Sequence, residues 1–264
     1  MKSKVISVCN SIDLDEVGFT SAEVYNKTSG ENYKTAIVVL FPYYCGEKEN
    51  SNISKYTHGK DYHKIVLEKL NFVATELGLD DYKVFADTGP EIDRTLALNA
   101  GLCFKGLNHM CINDKYGSYF FIGYIVCKID VPFDKPLNKS CKKCGLCISK
   151  CPGNALENGF CYEKCLSYIT QKKGQLSPLE EKLLKEGKSI FGCDICQDAC
   201  PHNKEIAVTP LKEFKTDLIT KLKISDIENL SNREFKEKYG DRAFSWRGKQ
   251  VLLRNLIIKE KEHG

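Results

Sequence analysis

CKKCGLCISKCP, Cys141 to Pro152, and CDICQDACP, Cys193 to Pro201, are the two stretches on which the reading of this chain turns. The first has the spacing C-x2-C-x2-C-x3-C-P, in which three thiolates wrap the corners of one [4Fe-4S] cubane while the fourth crosses to a second cubane. In the second run Cys193 and Cys196 serve one cluster, and Cys200, ahead of Pro201, crosses back to the other. One set is therefore Cys141, Cys144, Cys147 and Cys200. The other has Cys151, Cys193 and Cys196 and needs a fourth thiolate, because the second run is one cysteine short. Cys161 and Cys165 both stand between the runs. YEKCLSYITQKKG reads as a helix with Cys165 near its start, which favours Cys165 and leaves Cys161 open. A pair of four-cysteine zinc sites is the alternative, but zinc ribbons group their ligands as two C-x2-C knuckles split by a longer loop.

Composition supports cluster chemistry. Fourteen cysteines in 264 residues exceed ordinary usage, and a chain of this length buries enough core to do without disulfide staples. Cys9, Cys45, Cys103, Cys111 and Cys127 lie among apolar neighbours and read as small buried hydrophobes. At 42% hydrophobic and 28% charged residues the composition is that of a soluble globular protein. Its longest apolar runs, TAIVVLFPYY and YFFIGYIVC, are about half the length of a transmembrane helix. The N-terminus MKSKVISVCNSIDLDE carries acidic residues where a signal peptide has an apolar run, so a cytoplasmic protein is expected. The formal charge is +4, and the excess lies in residues 201–264. Two oxidised clusters with their thiolates would bring the total to about zero, so the holoprotein is not expected to be strongly cationic.

Three segments follow: residues 1–138, a two-cluster ferredoxin-like segment at 139–203, and a helical tail at 204–264. The first alternates in pattern. TAIVVLFPYY reads as a strand, Asp61 to Leu77 as a helix with Ile65, Leu67, Leu70 and Val73 on its apolar side, and YKVFAD as a strand. PEIDRTLALNAG reads as a helix with Pro90 in its first turn and Gly101 at its end. NHMCIND and SYFFIGYIVC read as a hairpin closed by Lys115 to Gly117. The fold class expected is α+β, a mixed sheet flanked by helices. Neither G-x-G-x-x-G nor G-x4-G-K-[ST] occurs, so dinucleotide and P-loop sites have no support. Asp61 and His63 begin like the D-x-H-x2-G signature of proteins that ligate cobalt through histidine, but Val66 occupies the glycine position. Asp87 ends a strand at ADTGP, where Gly89 and Pro90 fix the backbone. Partial burial at such an edge would raise its pKa toward a general-acid range. A helix cap by Asp87 or Thr88 explains the same residues equally well.

In order, GKDYHK, ADTGPEIDRTLALNAGLCFKG, GSYFFIG, CKKCGLCISKCPGNAL, CLSYITQKKG, GCDICQDACPHN and FSWRGKQVLLRN resemble the epoxyqueuosine reductases, from about residue 35 to residue 258. The resemblance implies a cobalamin-binding α+β module like that of reductive dehalogenases, joined to the ferredoxin-like module. It implies two [4Fe-4S] clusters and a cobalamin without a histidine ligand, with the epoxide oxygen of epoxyqueuosine removed at the wobble position of tRNA. Flavodoxin or ferredoxin is implied as electron donor to a monomer. By the same resemblance Asp87 falls on the family's proton donor and Cys165 on its eighth cluster ligand. Tyr62, His63, Gln171, Lys173, Gly174 and Gly192 fall in segments that surround the cobalamin. The sequence departs from the family at Leu107, where many members have lysine, and it ends at Gly264, where members continue into helical repeats that grip tRNA. Arg242, Arg247, Lys249 and Arg254 around Trp246 read either as phosphate and base contacts or as a solvated amphipathic helix with Trp246 in the core, the latter being favoured.

Overall fold

The structure is a computed structural model that describes residues 1–87 and 90–260. Along the chain the first half runs α1 (Lys2–Asn10), β1 (Val17–Ser21), α2 (Glu23–Ser29), β2 (Thr35–Pro42), α3 (Tyr62–Leu77), β3 (Tyr82–Ala86), α4 (Pro90–Asn99), β4 (Phe104–Lys105), β5 (Cys111–Ile112) and β6 (Phe120–Cys127). The cysteine-rich segment and the tail supply α5 (Leu146–Ser149), α6 (Leu166–Gln171), α7 (Pro178–Glu186), α8 (Ile195–Asp198), α9 (Asn232–Tyr239) and α10 (Lys249–Glu260).

The main sheet has the order β1-β2-β6-β3. The expected α+β class holds, while the sheet expected to be mixed pairs antiparallel in all three ladders. TAIVVLFP is an unbroken apolar run because β2 is central and covered on both faces. Ile37, Val39 and Phe41 face α1 and α3, whereas Ala36, Val38 and Leu40 face α2 and α4. Gly123 in β6 lets α3 approach closely, since a Cβ there would lie 2.4 Å from Val66 Cγ1. Of the expected core face of α3, Leu70 and Val73 are buried and Ile65 packs against them; Leu67 is half-buried, and Val66 is buried in addition. The expected hairpin is also corrected. Cys111–Ile112 pairs with Phe104–Lys105 in a separate two-stranded sheet, and Asn113 and Gly117 share a single bridge on the way to β6.

The cysteine-rich segment is tied to the sheet by buried polar bonds. Ser54 Oγ donates to Asp194, the Lys55 N–H donates to Asp194 at 2.8 Å, and Tyr119 OH donates to Asp198 at 2.7 Å. Residues after 203 return to the first module, where Leu211 and Phe214 join its core. Beyond them Phe235, Tyr239, Phe244 and Leu252 close a core with Ile53 and Phe191. Among the described residues no helix is long and apolar enough to cross a membrane. Of the cysteines read as buried hydrophobes, Cys9, Cys103, Cys111 and Cys127 are buried, whereas Cys45 is only half-buried.

Candidate active site

Where α3, β6 and the cysteine-rich segment meet, they enclose a cavity of about 610 Å³, in the size range of sites for small molecules and cofactors. Phe120, Phe121 and Ile122 at the start of β6 form an apolar wall, and Cys151, Cys165, Cys193 and Cys196 stand together on another. A much smaller recess is lined by Cys141, Cys144, Cys147 and Cys200, with Leu107 beside them. These are the two quartets expected from the spacing, with Cys165 in the eighth place; Cys161 lines neither space. Cys165 caps α6, so the helix end fixes its position. Among the described residues no three His, Cys, Asp or Glu side chains converge as a single ion requires. Cys151, Cys165, Cys193 and Cys196 stand on the wall of the large cavity, and Cys141, Cys144, Cys147 and Cys200 line the small recess. Burial pushes the Cys193 thiol up to about 12 and raises Cys196 as well, and Cys151 and Cys165 add to both shifts. Ligation by iron would replace the lost solvation of such thiolates, so that cluster insertion would be part of the folding energetics.

Asp87 follows β3 with φ 55° and reaches the cavity. Its Oδ2 accepts a hydrogen bond from Tyr62 OH at 2.5 Å and lies 3.4 Å from His63 Nε2. The other ring nitrogen of His63, Nδ1, lies 2.8 Å from Asp61 Oδ1, and the same oxygen takes the His63 N–H at the start of α3. Tyr62 lies flat between the rings of Phe121 and His63, with centroids 3.9 and 4.0 Å away. The expected rise in the Asp87 pKa is not found. The His63 hydrogen bond lowers it, and Tyr62 and the Arg94 charge add to that, against the opposing effect of burial. The proton is held next door instead: bonds to Asp61 and then Asp87 bring His63 up to about 9. The alternative cap falls partly on Thr88, which like Gly89 lies outside the described residues, while the Asp87 carboxylate is engaged by Tyr62 and His63.

Tyr62, His63 and Gln171 line the cavity; Lys173, Gly174 and Gly192 do not. Lys173 is exposed, and the carbonyl of Gly174 is bound by Arg254. Gly192 acts from behind the wall, with φ 72° and room for no side chain: an added Cβ would lie 2.4 Å from that of Ser54. Gly192→Ala is expected to destabilise the protein by about 1–2 kcal/mol from the left-handed backbone alone, and further from the clash, read as a lower thermal midpoint. The tail reading is corrected as well. Trp246 is 58% exposed and sits on the cavity rim, donating from Nε1 to Gln171 Oε1 at 3.1 Å, with the Arg247 guanidinium 3.5 Å over its ring. Arg242, Lys249 and Arg254 are spent on backbone carbonyls. Sequence reading missed Tyr43, Tyr56, Arg94, Asn108 and Ser167 on the cavity wall. Tyr43, Arg94, Asn108 and Ser167 lay in segments already quoted, but as strand, helix or cluster-flanking residues with nothing to mark them for the cavity; Tyr56 lay in none.

Two family models match this chain: "Epoxyqueuosine reductase QueG, DUF1730" over residues 26–88 and "4Fe-4S double cluster binding domain" over residues 140–203. An epoxyqueuosine reductase of Lactococcus garvieae is 34% identical over 93% of this chain and 76% of its own length. A crystal structure of epoxyqueuosine reductase with an epoxyqueuosine-modified tRNA-Tyr stem loop is similar with a TM-score of 0.84 at 28% identity, over 98% of this chain and 80% of that one. The enzyme of Streptococcus thermophilus gives 0.83 over the same shares, again at 28% identity. A catabolic reductive dehalogenase shares the fold at a TM-score of 0.55 and 18% identity, over 77% of this chain and 32% of its own. With that coverage and identity, the chain belongs to the epoxyqueuosine reductase family.

Proposed function

We propose that this chain reduces epoxyqueuosine to queuosine in tRNA, using two [4Fe-4S] clusters and a cobalamin. The observation that carries this is the single cavity shared by the Cys151, Cys165, Cys193 and Cys196 quartet and the Tyr62, His63 and Asp87 group. Removing an epoxide oxygen consumes two electrons and two protons and leaves an alkene and water. A site for it needs electrons on one wall and protons on another.

The residues fit such cofactors. One cysteine quartet lines the small recess and the other a wall of the large cavity, where the apolar β6 wall suits the face of a broad, flat ring. When bound there, the cobalamin supplies a strongly reducing metal centre for cleaving the carbon–oxygen bond. Cys141, Cys144, Cys147 and Cys200 would hold one cluster, and Cys151, Cys165, Cys193 and Cys196, which line the cavity, would hold the other. His63, bonded to Asp61 and Asp87, is not free to serve as a metal ligand.

Asp87 is the group that hands a proton to the oxygen as negative charge grows on it. Its resting carboxylate is low in pKa, so the proton is drawn from His63 Nε2, with Asp61 holding the ring. The charged and titratable groups around this pair are Asp61, Tyr62, Lys64, Arg94 and Tyr56. His63 has its pKa raised above the ordinary value, so its proton is present at neutral pH and lost as pH rises through about 9. Turnover is expected to fall on that limb, and His63→Gln to lower turnover and remove the limb from the pH–rate profile. Trp246 on the rim offers a ring face for a nucleobase.

Flavodoxin or ferredoxin is the one-electron donor in this reading, and the chain works as a monomer because it supplies every group named. The test is conversion of an epoxyqueuosine-bearing anticodon stem loop by the anaerobically reconstituted protein, with iron and corrinoid counted in the same sample. Queuosine is the expected product. A sample carrying about eight irons and one corrinoid that leaves the stem loop unchanged would overturn the substrate.

A further inference from the structure

The two quartets meet solvent differently. Cys151, Cys165, Cys193 and Cys196 are all part-covered and face the cavity, while Cys144 of the other quartet is exposed. Beside it Leu146 is 44% exposed on a four-residue helix that packs on α8. Between Asp134 and Glu157 the sequence contains Lys135, Lys139, Lys142, Lys143 and Lys150 and no acidic residue. Lys139 pairs with Asp114. Lys142, Lys143 and Lys150 are exposed, and among the described residues no carboxylate pairs with them. An oxidised cluster with four thiolates carries a net charge of about −2, which these lysines exceed. Three exposed lysines and an exposed leucine thus stand within six residues of the exposed Cys144, with a net positive charge.

We propose that this segment, Cys144 and Leu146 with Lys142, Lys143 and Lys150, is the docking surface for an acidic one-electron carrier protein. The proposal rests on the cluster assignment made above. Each docking passes one electron from the reduced carrier to the cluster held by Cys141, Cys144, Cys147 and Cys200. The carrier is oxidised by one electron, the cluster is reduced by one, and no bond or proton moves. Two such transfers supply the two electrons that one epoxide consumes. Charge complementarity selects an acidic partner and speeds its encounter, and the exposed leucine gives the complex an apolar centre. RNA is also an anion, but none of the three lysines lines the cavity, whose rim is formed by Trp246 and Phe160.

The test uses the reconstituted holoprotein without tRNA, so it does not depend on which substrate is reduced. Reduced flavodoxin is mixed with it and bleaching of the cluster absorbance is followed in stopped flow, with photoreduced deazariboflavin as a small uncharged reductant for comparison. In the wild type the flavodoxin rate is expected to fall steeply with added salt. The triple variant Lys142→Glu, Lys143→Glu, Lys150→Glu is expected to lose about tenfold or more of that rate at low salt, and to keep its deazariboflavin rate, its iron and its affinity for the stem loop. Carbodiimide cross-linking of the wild type to flavodoxin is expected at those three lysines, a result that does not depend on any variant. An unchanged flavodoxin rate, a salt-independent rate, or cross-links confined to other lysines would each overturn the proposal. So would a variant that loses stem-loop affinity in place of carrier reduction, which would make this an RNA face.

Discussion

Asp87→Asn is expected to lower turnover by about 10²- to 10⁴-fold, the usual contribution of a positioned general acid, while both clusters and the cobalamin remain bound. The amide keeps the shape of the carboxylate and can still accept the hydrogen bond from Tyr62 OH, so the cavity wall is preserved. It has no proton to give to an oxygen on which charge is developing. It also removes one of the two carboxylates that hold the His63 proton, so whatever activity remains should lose its high-pH limb at a lower pH than in the wild type. The comparison to make is single-turnover conversion of the stem loop by wild type and variant at equal iron and corrinoid content. Full activity in the variant would remove Asp87 from the reaction and leave Tyr62 as the nearest donor.

The second large effect separates two neighbouring cysteines. Cys165→Ser is expected to drop the iron content from about eight to about four per chain and to abolish turnover, because the cluster it loses is the one that borders the cavity. Cys161→Ser is expected to keep both clusters and activity close to that of the wild type. Cys161 lies before the short turn Tyr162–Lys164 and lines neither space, while Cys165 sits at the head of α6 facing Cys151 and Cys193. Iron analysis and the electron-paramagnetic-resonance signals of the reduced samples read the difference. If the serine at 161 were the one that lost iron, the ligand set would have to be redrawn.

The cysteine quartets were legible because cluster ligation is a matter of short spacings, and seven of the eight follow from two runs of sequence. Spacing left Cys161 and Cys165 both open; Cys165 lines the cavity beside Cys151, Cys193 and Cys196 and Cys161 does not, which supports Cys165 as the ligand. Asp87 was visible as a carboxylate at a strand edge, but its titration was misjudged. Burial is only one influence on a carboxyl group, and the stronger one comes from His63, 24 positions away in sequence, whose ring is brought alongside by the pairing of β3 with β6 and the packing of α3 on β6. Tyr43 and Asn108 were legible only as parts of strand runs and Tyr56 not at all, because what brings them to the cavity is the course of the whole fold. The basic pattern around Trp246 favours an amphipathic helix with the indole in the core, and the structure does not follow it. The indole stays on the rim because Gln171 and Arg247 provide it with a polar edge and a charged face.

The last described helix also bears on how the protein is made. Asn255, fully buried, donates to the carbonyls of Thr170 and Ile190, Arg254 takes those of Lys172 and Gly174, and Lys259 takes those of Leu184 and Lys185. These are the segments directly behind Cys165 and Cys193. A chain made from its N-terminus folds its earlier parts first, so the residues that clasp these loops emerge after everything they hold. Until then the carbonyls of Thr170, Lys172, Gly174, Leu184, Lys185 and Ile190 lack the donors that α10 gives them.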